Sequence, residues 1–314
     1  SGMRIPVVLC LVNRALAAPL NVNGDHSDLY LTRDAGWISI DAFNPQQAYD
    51  ITLMAFKISE HPAVRLPVIS NQDGFMTSHT AQNVTPLPDE VACKFVGDYL
   101  QVNALLNFDK PVTHGVQTEQ DWHFEHKAKQ HAALMGSKKI ILEVFKEFKE
   151  LTGREYKLVE TYNMENSEIA VVCLGTTFET AMVAIEELKA EGINAGVVAP
   201  RVFRPFPLEE MAEALQGVKA IACMDRSAPG GTVGTLFNEI SGALINTPNR
   251  PLVSNLIYGL GGRDMTVAGL KDIYRTLHKE AQEGKLSGKI QRFVGVRGPE
   301  LSFYDAQGVQ KWVH

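Results

Sequence analysis

Between Ile169 and Glu283 the sequence alternates short apolar runs with amphipathic stretches, and this repeat limits the possible fold more than any other feature. Ile169-Ala170-Val171-Val172-Cys173-Leu174 stops at Gly175 and reads as a strand buried on both faces. Thr176 and Glu179 form a capping-box pattern before a helix that ends at Gly192. Ala195 to Ala199 is a second strand, and Pro207 opens a helix from Leu208 to Gln216. Val218 to Met224 is a third strand, ending at Asp225. The turn Pro229-Gly230-Gly231 then leads to a helix through Ile245. Leu252 to Tyr258 is a fourth strand, followed by Gly259-Leu260-Gly261-Gly262-Arg263-Asp264 and a helix from Val267 to Glu283. Such alternation implies a parallel sheet with helices on both faces, over about residues 160–290.

The first half has the same grammar. Ile5 to Val12 reads as a core strand, and a long loop runs from Asn13 to Gly36. Ile38 to Phe43 is a strand, Asn44 caps and Pro45 opens a helix to about Glu60, and Arg65 to Ser70 is a third strand. Three parallel strands with one clear covering helix are few for a closed domain, so further sequence of this domain, or another chain, is expected to complete the sheet. A stretch rich in proline and polar residues spans Thr85 to Asp121. Phe124 to Leu151 is one long helix with Ile140, Ile141, Val144, Phe145, Phe148 and Leu151 on one face, ended by Gly153. The expected fold is therefore α/β, two domains with parallel, doubly wound sheets: residues 1–159, residues 160–290, and an arm of 291–314 over a partner subunit.

Composition removes several function classes. The net charge of -6 argues against nucleic-acid binding, and no apolar run is long enough to cross a bilayer. Four cysteines, Cys10, Cys93, Cys173 and Cys223, lie far apart, without the close pairs that iron–sulfur and zinc sites use. Three sit in apolar runs and read as reduced core thiols of a cytoplasmic protein. His114, His123, His126 and His131 lack a metal-ligand spacing and read as solvated residues.

Ligands in open parallel sheets bind beyond the carboxyl ends of the strands. Three such ends carry polar loops here. At Asn13-Arg14 the arginine suits either a bidentate grip on a carboxylate or a salt bridge to Asp25 or Asp28; residue types alone favour the salt bridge. At Asp73-Gly74-Phe75, the following Ser78-His79 lacks a nucleophile elbow and reads as a turn. At Asp225-Arg226-Ser227, the glycine turn before a helix suits phosphate in principle but matches no phosphate motif. Tight turns with an Arg–Asp pair at an interdomain or intersubunit surface are favoured.

These residues also carry a resemblance. Val12-Asn13-Arg14-Ala15-Leu16-Ala17-Ala18-Pro19, Gly24-Asp25-His26-Ser27-Asp28, Arg33-Asp34-Ala35-Gly36-Trp37-Ile38, Asp73-Gly74-Phe75, Phe203-Arg204-Pro205-Phe206-Pro207, Asp225-Arg226-Ser227 and Gly259-Leu260-Gly261-Gly262-Arg263-Asp264 run in order along the chain. Together they resemble the alpha subunit of the 2-oxoacid:ferredoxin oxidoreductases, closest to the pyruvate type. The resemblance implies a thiamine-diphosphate pyrimidine-type domain, incomplete at its N-terminus, plus a transketolase C-terminal-like domain. It implies oxidative decarboxylation of pyruvate to acetyl-CoA and CO2 with electrons passed to ferredoxin. It assigns Arg14 to the substrate carboxylate and Asn13 to the pocket. It places thiamine diphosphate and Mg between this chain and a beta subunit. Iron–sulfur clusters fall on a delta subunit and the coenzyme A site on gamma, in a dimer of heteromers. The family's upstream segments, with a substrate-binding threonine and a cofactor-activating glutamate, have no match here, so the chain alone is expected to be inactive. A branched-chain or 2-oxoglutarate enzyme, a thiamine subunit with another acyl acceptor, and a non-catalytic assembly module are the alternatives.

Overall fold

The computed structural model describes residues 1–16 and 19–297. Ala17, Ala18 and the greater part of the expected C-terminal arm lie outside the described residues. Two sheets are present. In the first, β1 (Val8–Val12), β2 (Ile38–Ala42) and β3 (Val68–Gln72) are parallel, in the order β1-β3-β2. Helix α1 (Ser27–Thr32) lies in the expected long loop, and α2 (Pro45–Glu60) connects β2 to β3. Asn44 caps α2 as its sequence predicts, accepting from the Gln47 backbone N–H at 3.0 Å. Helices α3 (Asp89–Val96) and α4 (Gln120–Thr152) follow; Gly153 ends α4 in the left-handed conformation.

The second sheet holds β4 (Val159–Tyr162), β5 (Ile169–Val172), β6 (Ala195–Pro200), β8 (Ala220–Asp225), β9 (Leu252–Ile257) and β10 (Gln291–Phe293). Its order is β10-β9-β8-β5-β6-β4. Helices α5 (Thr177–Lys189) and α8 (Val267–Glu283) cover one face; α6 (Leu208–Ala214) and α7 (Thr235–Leu244) cover the other. This is the doubly wound arrangement that the strand–helix alternation predicts.

Three departures from the sequence reading have physical causes. Neither sheet is wholly parallel: β4 runs antiparallel to β6, and the three-residue β7 (Val202–Arg204) runs antiparallel to β2. Thus β7 leaves the second half of the chain to join the first sheet beside β2, fixed at its root by Arg201. That buried guanidinium donates to the Asp41 carbonyl and the Gln47 side chain, both at 2.7 Å, and lies 3.7 Å from the Phe43 ring centroid. Second, β1 is an edge strand rather than a core strand, with Leu9 and Cys10 exposed. Cys93 is exposed too, so only Cys173 and Cys223 are core thiols. Third, the Thr176–Glu179 capping box does not form, because both side chains bond to the first domain instead: Thr176 to Asp73, Glu179 to Asn44.

Helix α4 is held by Ile141, Val144, Phe145 and Phe148, as its periodicity predicts, while Leu151 is exposed. Phe148 is fully buried, edge-on to Phe95 at 5.3 Å and to Tyr156 at 6.0 Å. Phe148→Ala should cost about 3–5 kcal/mol of unfolding free energy in denaturant titration. A loss below about 1 kcal/mol would contradict the anchoring role.

Candidate active site

The carboxyl ends of β1 and β3 lie side by side, so Asn13-Arg14 and Asp73-Gly74 meet. The Asn13 backbone N–H donates to Gln72 at 2.9 Å, continuing the ladder. The approach is so close that a Cβ on Gly74 would collide with the Asn13 carbonyl oxygen. Phe75 follows at φ +61°, a rare conformation for an aromatic residue, and directs its ring under the Arg14 guanidinium, 4.9 Å away. The Phe75 ring also stacks on His79 at 4.3 Å, and Ser78 Oγ accepts from the Phe75 N–H. Ser78-His79 thus serves the turn, as its sequence context predicts.

Asp28 organises the β1 end. Its Oδ1 accepts from Asn13 Nδ2 at 2.8 Å and from the Leu29 N–H at 2.7 Å; its Oδ2 accepts from the Arg14 backbone N–H at 2.8 Å. Asp25 accepts from the Ser27 N–H at 3.0 Å. The salt bridge favoured from residue types is therefore absent: both carboxylates are taken by backbone and amide donors. Among the described residues, no carboxylate lies within ion-pairing distance of the Arg14 guanidinium. Its Nη1 donates to the Val22 carbonyl at 2.5 Å, and its Nε is buried without a partner. Asn13 is fully buried and its Oδ1 is likewise unpartnered.

Behind this strand end lies a buried charge network that joins the two sheets. Asp73 Oδ1 meets His26 Nε2 at 2.6 Å; its Oδ2 accepts from Arg226 Nη1 at 3.0 Å, Thr176 Oγ1 at 2.6 Å and the Thr176 N–H at 2.9 Å. The Asp73 carboxylate so sits at the start of α5, where backbone dipoles favour an anion. Arg226 also donates to Thr177 Oγ1 at 3.1 Å, which pairs with the Tyr258 hydroxyl at 2.7 Å. Asp41 accepts from the Gly175 N–H at 2.8 Å and from Asn71. The sequence favours an Arg–Asp pair at an interdomain or intersubunit surface; Arg226 does pair with an aspartate, but with Asp73 from the end of β3 and not with an acid of its own loop.

Burial alone would raise the Asp73 pKa, but Arg226 and His26 outweigh it and hold the carboxyl below its ordinary value. Burial likewise opposes a charged His26, and Asp73 outweighs that, so the imidazole titrates above its ordinary value. Burial, reinforced by the Asp73 charge, pushes Asp41 up to about 6. Burial also pushes Asp225 up to about 6, although it accepts from the Leu236 N–H at 2.8 Å and the Phe237 N–H at 3.3 Å. Asp225 thereby fills the N-terminus of α7, the place where a phosphate could have docked after the glycine turn.

The four histidines considered for a metal are exposed, and no group of three metal-ligating side chains occurs among the described residues. No helix of the described residues is long and apolar enough to cross a membrane. Sequence reasoning missed His26, Asp41, Thr176 and Tyr258. The available signal was that Asp73 and Asp225 both stand at strand ends, where a buried acid needs a partner.

Residues 1–146 match the family described as pyruvate flavodoxin/ferredoxin oxidoreductase, thiamine diphosphate-binding. Residues 167–270 match pyruvate:ferredoxin oxidoreductase core domain II. The pyruvate synthase subunit PorA of Thermotoga maritima is 40% identical over 297 residues, which are 95% of this chain and 75% of that protein. The ketoisovalerate oxidoreductase subunit VorA of Pyrococcus horikoshii is 37% identical over 292 residues, 93% of this chain and 74% of that protein. A solved 2-oxoglutarate:ferredoxin oxidoreductase from Magnetococcus marinus aligns with a TM-score of 0.55 at 15% identity, a likeness of fold. The chain spans about half the length of that structure's chain, with 90% of its own residues covered.

Asp73→Asn would leave Arg226 and His26 buried without their counter-ion and should cost about 3–5 kcal/mol in denaturant titration. In the unsubstituted protein the Asp73 contribution is present above its ordinary value of 3.8 and is lost as pH falls below it. His26, Asp41 and Asp225 act oppositely: their raised values favour the fold at lower pH, and that contribution is lost as pH rises through them. The thermal midpoint should therefore decline as pH rises from 3.8 to about 6, the window set by Asp41 and Asp225; a steady rise over that range would contradict these assignments.

Proposed function

The chain belongs to the 2-oxoacid:ferredoxin oxidoreductase family as a subunit of the alpha type, and from that premise we propose that it takes part in oxidative decarboxylation of pyruvate to acetyl-CoA and CO2, with electrons passed to ferredoxin. Its own residues have a narrower role. Arg14 binds the 2-oxoacid carboxylate, and Asn13 shapes the pocket beside it. One observation carries this reading. Arg14 stands at a strand end with its guanidinium held by Val22 and Phe75, yet among the described residues no carboxylate neutralises it and its Nε has no partner. A cation fixed in place without a counter-ion is preorganised for an incoming anion, and the planar fork of arginine suits a carboxylate.

Thiamine diphosphate, when bound, supplies the electron sink for the decarboxylation. The residues at the β1 end fit the carboxylate of the substrate and not the diphosphate of the cofactor. The helix start that follows the glycine turn is filled by Asp225. As the family resemblance implies, the diphosphate and its Mg belong to a beta-type partner, the iron–sulfur clusters to a delta-type partner and the coenzyme A site to a gamma-type partner; an α7 start already filled by Asp225 agrees with the first of these. Two such heteromers would pair. In this division the chain orients the substrate carboxylate and excludes water behind it, since Asn13 and the network beneath it are buried.

The grip on a carboxylate does not discriminate among side chains, so a branched 2-oxoacid is the second reading; the likeness to ketoisovalerate subunits supports it. The 40% identity to the pyruvate synthase subunit of Thermotoga maritima, against 37% to the ketoisovalerate subunit of Pyrococcus horikoshii, favours pyruvate.

In the assembled complex, Arg14→Ala should raise KM for pyruvate about 10- to 100-fold, the value of a charge-assisted hydrogen bond. Arg14→Lys should recover only part of it, because an ammonium cannot reproduce the fork. Unchanged kinetic parameters in Arg14→Ala would sink the assignment. A kcat/KM higher for 3-methyl-2-oxobutanoate than for pyruvate would favour the branched reading. A complex without iron–sulfur absorbance would favour a thiamine enzyme with another acyl acceptor.

A further inference from the structure

Arg14 does not set its own aim. Its Nη1 is fixed by the Val22 carbonyl, so the direction of the guanidinium follows the segment from Asn21 to Gly24. That segment rests on the second domain. Asn21 Nδ2 donates to the Gly261 carbonyl at 3.3 Å, while Asn21 Oδ1 accepts from the Asn23 N–H at 2.7 Å. The Gly262 N–H donates to the Gly24 carbonyl at 2.8 Å, and the Ala15 N–H donates to the Asn23 carbonyl at 3.0 Å, returning to the residue after Arg14.

The surface receiving this segment is built from backbone. Gly261 and Gly262 have φ of +61° and +77°, which glycine alone adopts at little cost. A Cβ on Gly261 would collide with the Asn21 amide, and one on Gly262 would lie 2.6 Å from Asn23 Cβ. From the opposite side, a Cβ on Gly24 would come within 2.6 Å of the Gly74 carbonyl oxygen. Gly74, Gly24 and Gly262 thus stack backbone on backbone, from the end of β3 to the turn after β9. The contact leaves the segment little room to shift without moving Val22.

We propose that the turn around Gly261-Gly262 is a positioning element for the substrate carboxylate. It acts through Asn21, Val22 and Arg14 without touching the substrate. This rests on the reading of Arg14 as the carboxylate ligand. It gives the second domain a part in substrate recognition although its own strand ends are occupied by internal pairs.

The test uses the assembled complex with Asn21→Ala, Gly262→Ala, Arg14→Ala and the Asn21→Ala/Arg14→Ala double variant. KM and kcat for pyruvate are measured beside competitive inhibition by methyl pyruvate, which lacks the carboxylate charge. Gly262→Ala strains the turn itself, whereas Asn21→Ala only removes the contact, so the second variant remains informative if the first does not assemble. Asn21→Ala removes the bond to Gly261 and the bond from the Asn23 N–H, and should raise KM for pyruvate about 5- to 30-fold, the effect of one to two lost hydrogen bonds, with the change in KM exceeding that in kcat. Inhibition by methyl pyruvate should not weaken, and Asn21→Ala should add nothing in the Arg14→Ala background. If Arg14→Ala raises KM and Asn21→Ala does not, the positioning role is wrong and the Arg14 assignment stands. Equal weakening of acid and ester, or additive effects in the double variant, would show mere packing and overturn the proposal. If Arg14→Ala itself leaves KM unchanged, the assignment of Arg14 falls first, and the positioning role with it.

Discussion

A single buried carboxylate, Asp73, fixes how the two halves of this molecule meet. It is 1% exposed and accepts from His26, Arg226 and Thr176, three donors supplied by a loop and by two elements of the other sheet. A buried acid in that setting is tolerable only with every partner in place, so the network constrains the interface geometry closely. Its position matters as much as its strength. Asp73 precedes Gly74, and Gly74 is pressed on the Asn13 carbonyl, so the interdomain contact and the strand end bearing Arg14 are consecutive parts of one turn.

The same turn shows how the chain separates its charges. Asp73, Asp225, Asp25 and Asp28 are all engaged by internal donors, and Arg226 and Arg201 are paired with the carboxylates of Asp73 and Glu160. Arg14 differs, because its partners are a carbonyl and an aromatic ring, neither of which neutralises it. In a site where other charged groups are paired, that difference is what marks Arg14 as the group facing a ligand.

Much of the fold was legible because its signals are local. The Asn44-Pro45 start of α2, the Gly153 stop of α4 and the span Val267–Glu283 of α8 follow from caps and periodicity. The elements missed are short or set by tertiary contact. Helices α1 and α3 lie in stretches that read as loop, and β7 has three residues and finds its partner in the other sheet. The capping box at Thr176 failed for the same reason, since a carboxylate about a hundred residues away competes for the helix start. The site was legible in part. Strand-end logic located Arg14, Asp73 and Arg226, but could not show that the last two pair, nor that Asp28 binds the Arg14 backbone rather than its guanidinium. The resemblance, not the spacing, pointed to Arg14 as a substrate ligand.

The most direct test is the structure of the assembled complex with a non-reactive pyruvate analogue bound. The analogue carboxylate should lie within about 3 Å of the Arg14 guanidinium nitrogens, with Val22 still holding Nη1. A carboxylate bound elsewhere, with Arg14 paired to a protein acid, would contradict the role given to Arg14.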